Sequence, residues 1–300
     1  MQTAWLFPGQ GSQKLGMGKD VIEINDAKRR FDYASNLFQR DLFYICGDQA
    51  ENGSGDYDLN HTKNTQICLF LIESILLDSL KIKGYRPNYL AGHSLGEITA
   101  LYAAEVLSFE ECVDLIKIRS ELMSSAPPGS MAALIGFDRD EIDKALQNID
   151  NVAIANDNSS TQIVLSGQKE GLEDFSKRIN CKRFIFLNVS GAFHSDFMVE
   201  PSRKFSQYLD DLNFKDPIIP VISNSNPTLS TNAHELKIRL KDQMCNGVRW
   251  RETMDLINDN SRSRCHFVEI GPSNVLGGLA KRHLKDIQLT QVSSFNKLSY

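Results

Sequence analysis

Glycines stand two residues either side of a serine in Gly92-His93-Ser94-Leu95-Gly96, between a short apolar run and a helical one. No other feature constrains the chain as much. A strand that turns into a helix at so tight a bend brings backbone against backbone, and only residues without a Cβ fit on its flanks. The serine then stands at the tip, with the free N–H groups and positive dipole end of the following helix aimed at it. Pro87 to Gly92 reads as the strand and Ile98 to Val106 as the helix, with Glu97 in its first turn. Ser94 is therefore a candidate nucleophile; the bland alternative is an ordinary serine in a glycine-flanked turn. His93 points elsewhere and reads as a packing residue.

Such an elbow requires an α/β fold, and the chain supplies the other parts. It has 300 residues, 41% of them hydrophobic and 24% charged, which suffices for a large core. Thr3 to Phe7 is an apolar run stopped by Pro8-Gly9 and reads as a buried strand. Helices are expected over Ala27 to Leu42 and Thr65 to Ile82, with a polar loop over 47–60 between them. From Met131 to Ser190 the order becomes β-α-β-β-α-β, a ferredoxin-like unit, entered through the linker Ser124-Ser125-Ala126-Pro127-Pro128-Gly129. The expectation is an α/β, hydrolase-like large subdomain with a parallel sheet over 1–126 and 195–300, and an inserted ferredoxin-like small subdomain over 127–194.

Several classes drop out. Thirty-three basic against 38 acidic side chains give a net charge of −5, which speaks against a nucleic-acid partner. No run approaches the roughly 20 apolar residues of a membrane span. The six cysteines lie twenty or more residues apart, without a disulfide or zinc spacing, and read as reduced thiols of a cytoplasmic protein.

Ser108-Phe109-Glu110-Glu111 is a capping box, so a helix begins near Phe109. Its apolar stripe runs through Cys112, Leu115, Ile116, Leu122 and Met123, and Arg119 falls on the same face. A guanidinium turned inward needs an anion. An internal salt bridge supplies one; a ligand carboxylate gripped by a bidentate clamp supplies another. A serine nucleophile also needs a base. Of six histidines, His194 stands where the chain leaves the inserted unit, and the junction of two units is where a cleft forms. No carboxylate at a telling offset presents itself to orient it. Gly9-Gln10-Gly11, after the first strand, reads by itself as a tight turn.

Together these segments resemble the malonyl-CoA:acyl-carrier-protein transacylase family, from Phe7-Pro-Gly-Gln-Gly-Ser-Gln13 to Glu269-Ile-Gly-Pro-Ser-Asn-Val-Leu276. The resemblance implies a Ser94 acyl-enzyme, His194 as its base, and Gln10 with the Leu95 N–H as the oxyanion hole. It implies that Arg119, followed by Met123, holds the malonyl carboxylate, and that the main-chain carbonyl of Gln243 orients His194. It also implies that Asn158 lines the cleft and that Phe193 favours malonyl over methylmalonyl. Malonyl-CoA and an acyl carrier protein are the implied substrates, with no resident cofactor, metal or membrane, in a monomer. Gly247 departs from the family's usual proline, and Gly191 is unusual before Ala192-Phe193-His194. Pro220-Val-Ile-Ser-Asn224 further resembles discrete acyltransferases that serve modular polyketide synthases in trans; the alternatives are the same transfer for fatty acid synthesis, or an acyl hydrolase. A docking module that keeps the fold without the chemistry is a third alternative. Lys281-Arg282 and Lys182-Arg183 are candidates for a basic patch facing an acidic carrier.

Overall fold

The computed structural model describes residues 1–47, 55–189, 191–261 and 264–297. Ser190 and residues 48–54 of the polar loop expected over 47–60 lie outside the described residues. The chain starts in β1 (Thr3–Phe7), an unbroken apolar run because both faces are covered: Trp5 and Phe7 enter one core, Ala4 and Leu6 another. Helices α1 (Ala27–Phe38) and α2 (Leu42–Cys46) follow. The sequence suggests one helix here, but Gln39 takes a left-handed φ of 52° and ends the first. Helix α3 (Thr62–Ile82) is buried along most of its length and packs against α1, α2, α4 and α5. Strand β2 (Tyr89–Gly92) leads into α4 (Gly96–Ala103), and α5 (Phe109–Ser124) opens with the expected capping box.

The inserted unit runs β3 (Ser130–Phe137), α6 (Arg139–Leu146), β4 (Val152–Ser159), β5 (Gln162–Gly167), α7 (Lys169–Arg178) and β6 (Cys181–Phe186). Its sheet has the order β4-β5-β3-β6 with antiparallel pairings, the split arrangement read from the sequence. Ala132, Leu134, Ile163, Leu165, Leu172 and Phe175 form its own core beneath the two helices. The chain then continues through α8 (Val199–Asp211), β7 (Val221–Ile222), β8 (Leu229–Ser230), α9 (Ala233–Asp242), α10 (Trp250–Asn260), β9 (His266–Ile270), α11 (Val275–His283) and β10 (Gln288–Val292).

The large sheet has the order β10-β9-β1-β2-β7-β8, parallel except for the β7–β8 hairpin. Its strand β7 is only two residues long, Val221 and Ile222. Ligands in open α/β sheets bind beyond the carboxyl ends of the strands. Here β1 ends at Phe7, just before Gln10, and β2 ends at Gly92, just before Ser94. No helix of the described residues is long and apolar enough to cross a membrane. The six cysteines are free, and Cys46, Cys68, Cys112 and Cys265 are buried.

Candidate active site

Ser94 stands at the turn between β2 and α4 with a φ of 52°, a left-handed conformation that costs a non-glycine residue about 1–2 kcal/mol. The surroundings hold it there. A Cβ on Gly92 would collide with the Gly96 carbonyl, and one on Gly96 with the Phe7 carbonyl, so both glycines are required. Asn224, just after β7, clamps the bend from the side: its Oδ1 accepts the Ser94 N–H at 2.6 Å and its Nδ2 donates to the Gly92 carbonyl at 2.6 Å.

His194 arrives from the far side, on the segment returning from the small sheet. It too has a left-handed φ, 58°. Its Nε2 lies 2.8 Å from Ser94 Oγ. Its Nδ1 faces two acceptors, the main-chain carbonyls of Gln243 at 2.9 Å and Asn246 at 3.2 Å. Two acceptors at Nδ1 fix the proton there and leave the Nε2 lone pair for the Ser94 hydroxyl. Burial, and next the positive Arg119, lower the imidazole from its ordinary 6.5 to about 3, so it is neutral at physiological pH.

Arg119 is buried on the inner face of α5, as its phase along the helix predicts. No described carboxylate forms an ion pair with it, so an internal salt bridge does not explain it. Its partners are oxygens of uncharged groups: Gln66 Oε1 at 2.7 Å, Gln243 Oε1 at 2.8 Å and Ser94 Oγ at 3.1 Å. Burial lowers its pKa to about 10, opposed by the more distant charge of Glu97. Its Nε has no partner among the described residues. The guanidinium thus faces the serine with its charge uncompensated by direct contact, as a receptor for an anionic ligand would.

These groups share a cavity of about 80 Å³, lined among others by Gln10, Leu95, Met123, Met131, Leu187 and Phe193. That volume suits an acyl group of a few atoms; sites for drug-sized ligands run to several hundred Å³. Leu95 opens α4, so the helix dipole faces the serine. The Gln10 side chain rests on Thr62, with Nε2 3.4 Å from its hydroxyl. Asn158 is placed differently from the sequence expectation. It is buried and its Oδ1 pairs with Nε2 of His93, itself a lining residue, at 2.8 Å; Asn156 lines the wall instead. β4 carries register shifts on either side of this stretch, between Ile154 and Asn156 and between Asp157 and Ser159. His93 also packs edge-on against Trp250, with ring centroids 5.4 Å apart.

Gly247, where the family pattern has proline, does not leave the Gln243 loop untethered. Val248 pairs with β4 through two 2.8 Å backbone bonds, to the Ala155 carbonyl and from the Asp157 N–H. A Cβ at position 247 would lie 2.5 Å from the Ile154 carbonyl, so glycine is what allows this approach. Gly247→Ala is expected to cost about 2 kcal/mol of stability, read as a lower Tm; an unchanged Tm would show that the loop simply gives way.

Sequence reasoning missed Gln66, Asn224, Asn246 and the Gln243 side chain. None lies in a motif that announces chemistry, and each reaches the site only through tertiary proximity.

A strand–turn–helix serine paired to a main-chain-oriented histidine defines a class of acyl-transferring α/β proteins. An acyl transferase domain model matches residues 4–295. The malonyl CoA-acyl carrier protein transacylase of a Synechocystis species is 44% identical over 300 residues, covering 100% of this chain and 99% of that protein. The crystal structure of a Synechocystis malonyl-CoA:ACP transacylase superimposes with a TM-score of 0.93 at 43% identity, covering 99% of each chain. A malonyl-transacylase solved in complex with a type II PKS acyl-carrier protein gives a TM-score of 0.91 at 32% identity, covering 99% of this chain and 98% of that one. The chain belongs to the malonyl CoA-acyl carrier protein transacylase family of acyl transferases.

Proposed function

We propose that the protein moves a malonyl group from malonyl-CoA to the phosphopantetheine thiol of an acyl carrier protein through a Ser94 acyl-enzyme. The observation that carries this is the convergence on Ser94 Oγ of His194 Nε2 at 2.8 Å and Arg119 at 3.1 Å. His194 takes the Ser94 proton as Oγ attacks the thioester carbonyl carbon. The oxyanion forms against the N–H groups of Gln10 and Leu95, each worth about 3 kcal/mol. The C–S bond breaks, and His194 returns the proton to the departing coenzyme A thiolate. The carrier thiol enters, gives its proton to His194 and attacks the Ser94 ester; the C–O bond breaks and the proton returns to Ser94 Oγ. The bonds and protons balance without a metal or redox group.

Arg119 selects the acyl group: a malonyl carboxylate completes its hydrogen bonding, and a neutral acetyl group leaves it unmatched. Arg119→Ala is expected to lower kcat/KM for malonyl-CoA by about 100-fold and acetyl-CoA much less. Parallel acylation assays check this, and an unchanged ratio would count against the clamp. The same clamp argues against a general acyl hydrolase, and partition of a labelled malonyl-enzyme between the carrier and water tests that point.

A cytoplasmic setting belongs to the same proposal. The segment behind the polyketide expectation, Pro220 to Asn224, is spent on the elbow: Val221, Ile222, Ser223 and Asn224 are buried and the asparagine grips Ser94. A surface that reads a carrier must lie elsewhere, and we favour a discrete carrier, as in the related malonyl-transacylase solved with a type II PKS acyl-carrier protein. Loading of such a carrier, compared with a carrier excised from a modular synthase, tests this.

A further inference from the structure

We propose that Glu97 is a positioning residue for acyl-group selection, acting through the Gln243 amide to hold the Arg119 guanidinium beside Ser94 without neutralising it. The inference rests on the reading of Arg119 as the carboxylate clamp.

A guanidinium buried with no direct counter-charge is costly. Glu97, also buried, carries a carboxylate one amide away from it. Its Oε2 accepts from Gln243 Nε2 at 2.7 Å and from the Asn224 N–H at 3.2 Å. A carboxylate only accepts, so the NH₂ end of the Gln243 amide must turn towards it. The Ser94 carbonyl, 2.9 Å from the same nitrogen, reinforces that orientation. The amide oxygen is then left to face Arg119, at 2.8 Å. Gln66 provides a second neutral acceptor on the other arm.

The order carboxylate, amide, guanidinium has two consequences. Burial pushes the Glu97 carboxyl up, and the bonds from Gln243 and Asn224, then the Ser223 hydroxyl and the Arg119 charge, oppose that; its ionised form in turn favours the protonated guanidinium. Yet it does not occupy the fork that a ligand carboxylate would take. A carboxylate in direct contact would satisfy the arginine permanently and remove its reason to bind malonyl.

Two variants test the arrangement. Glu97→Gln removes the charge and the demand for one amide orientation. Gln243→Glu brings a carboxylate into contact with Arg119 while the main-chain carbonyl that orients His194 remains. Single-turnover loading of Ser94 from malonyl-CoA and from acetyl-CoA is followed by intact mass, with thermal unfolding as a check on folding. Each variant is expected to lower the malonyl-to-acetyl ratio of kcat/KM about tenfold, with the loss in the malonyl KM rather than in kcat. If Glu97→Gln does not fold, Gln243→Glu decides. Equal loss for both donors, or a loss confined to kcat, overturns the inference and leaves the transferase reading standing. Failure of malonyl-CoA to load the wild-type protein overturns both.

Discussion

Ser94→Ala is expected to abolish the malonyl-enzyme and to lower transfer about a millionfold, the scale seen when a hydroxyl nucleophile is removed from a comparable catalytic unit. The expectation is this large because no other described hydroxyl shares the position. Ser94 Oγ is at once 2.8 Å from the histidine and 3.1 Å from the arginine. Alanine is smaller and keeps the elbow's backbone bonds to Asn224, so the variant should fold with an unchanged Tm. Incubation with malonyl-CoA and intact mass measurement decide the matter. A variant that still gains the malonyl mass would remove Ser94 from the mechanism.

Loss of the base comes next. His194→Ala is expected to lower kcat/KM for acyl-enzyme formation about 10⁵-fold. The wild-type pH profile gives a sharper check. Burial and Arg119 depress the imidazole to about 3, and kcat/KM reports the free enzyme's base. The rate should therefore stay level as pH falls from about 8 to about 4, and decline only near the lowered value. A midpoint at the ordinary 6.5 would refute an enclosed neutral base. Folding follows the same sign. The unfolded chain takes up this proton near 6.5 and the native one near 3, so His194's contribution to stability is full above 6.5 and is lost as pH falls through about 3.

The parts of the site legible in the sequence are those where local backbone geometry dictates residue type. Gly92 and Gly96 announce Ser94 because a Cβ at either would strike a carbonyl. Arg119 is legible because helical phase places it on the inner face of α5. The small sheet was readable from the β-α-β-β-α-β order of its segments, down to the helices that cover it. What could not be read depends on distance in space. Gln66 meets Arg119 across 53 positions and Gln243 meets it across 124, and a glutamine carries no periodic signature. Asn156 lines the cavity where Asn158 was expected, in a strand whose two register shifts leave no mark in a string of polar residues. The missing carboxylate partner of His194 has a physical answer: two main-chain carbonyls do its work.

The position of β1 bears on how the protein is made. It lies between β2 and β9, so the first strand synthesised has one flank closed after 89 to 92 and the other open until 266 to 270 has emerged. The small sheet's own strands are all made within 130 to 186 and can pair meanwhile, although the bridge from β4 to Val248 must wait, and the nascent large sheet keeps a bare apolar edge. The long interval between the synthesis of residue 92 and of residue 266 is thus when this edge lies open to mispairing.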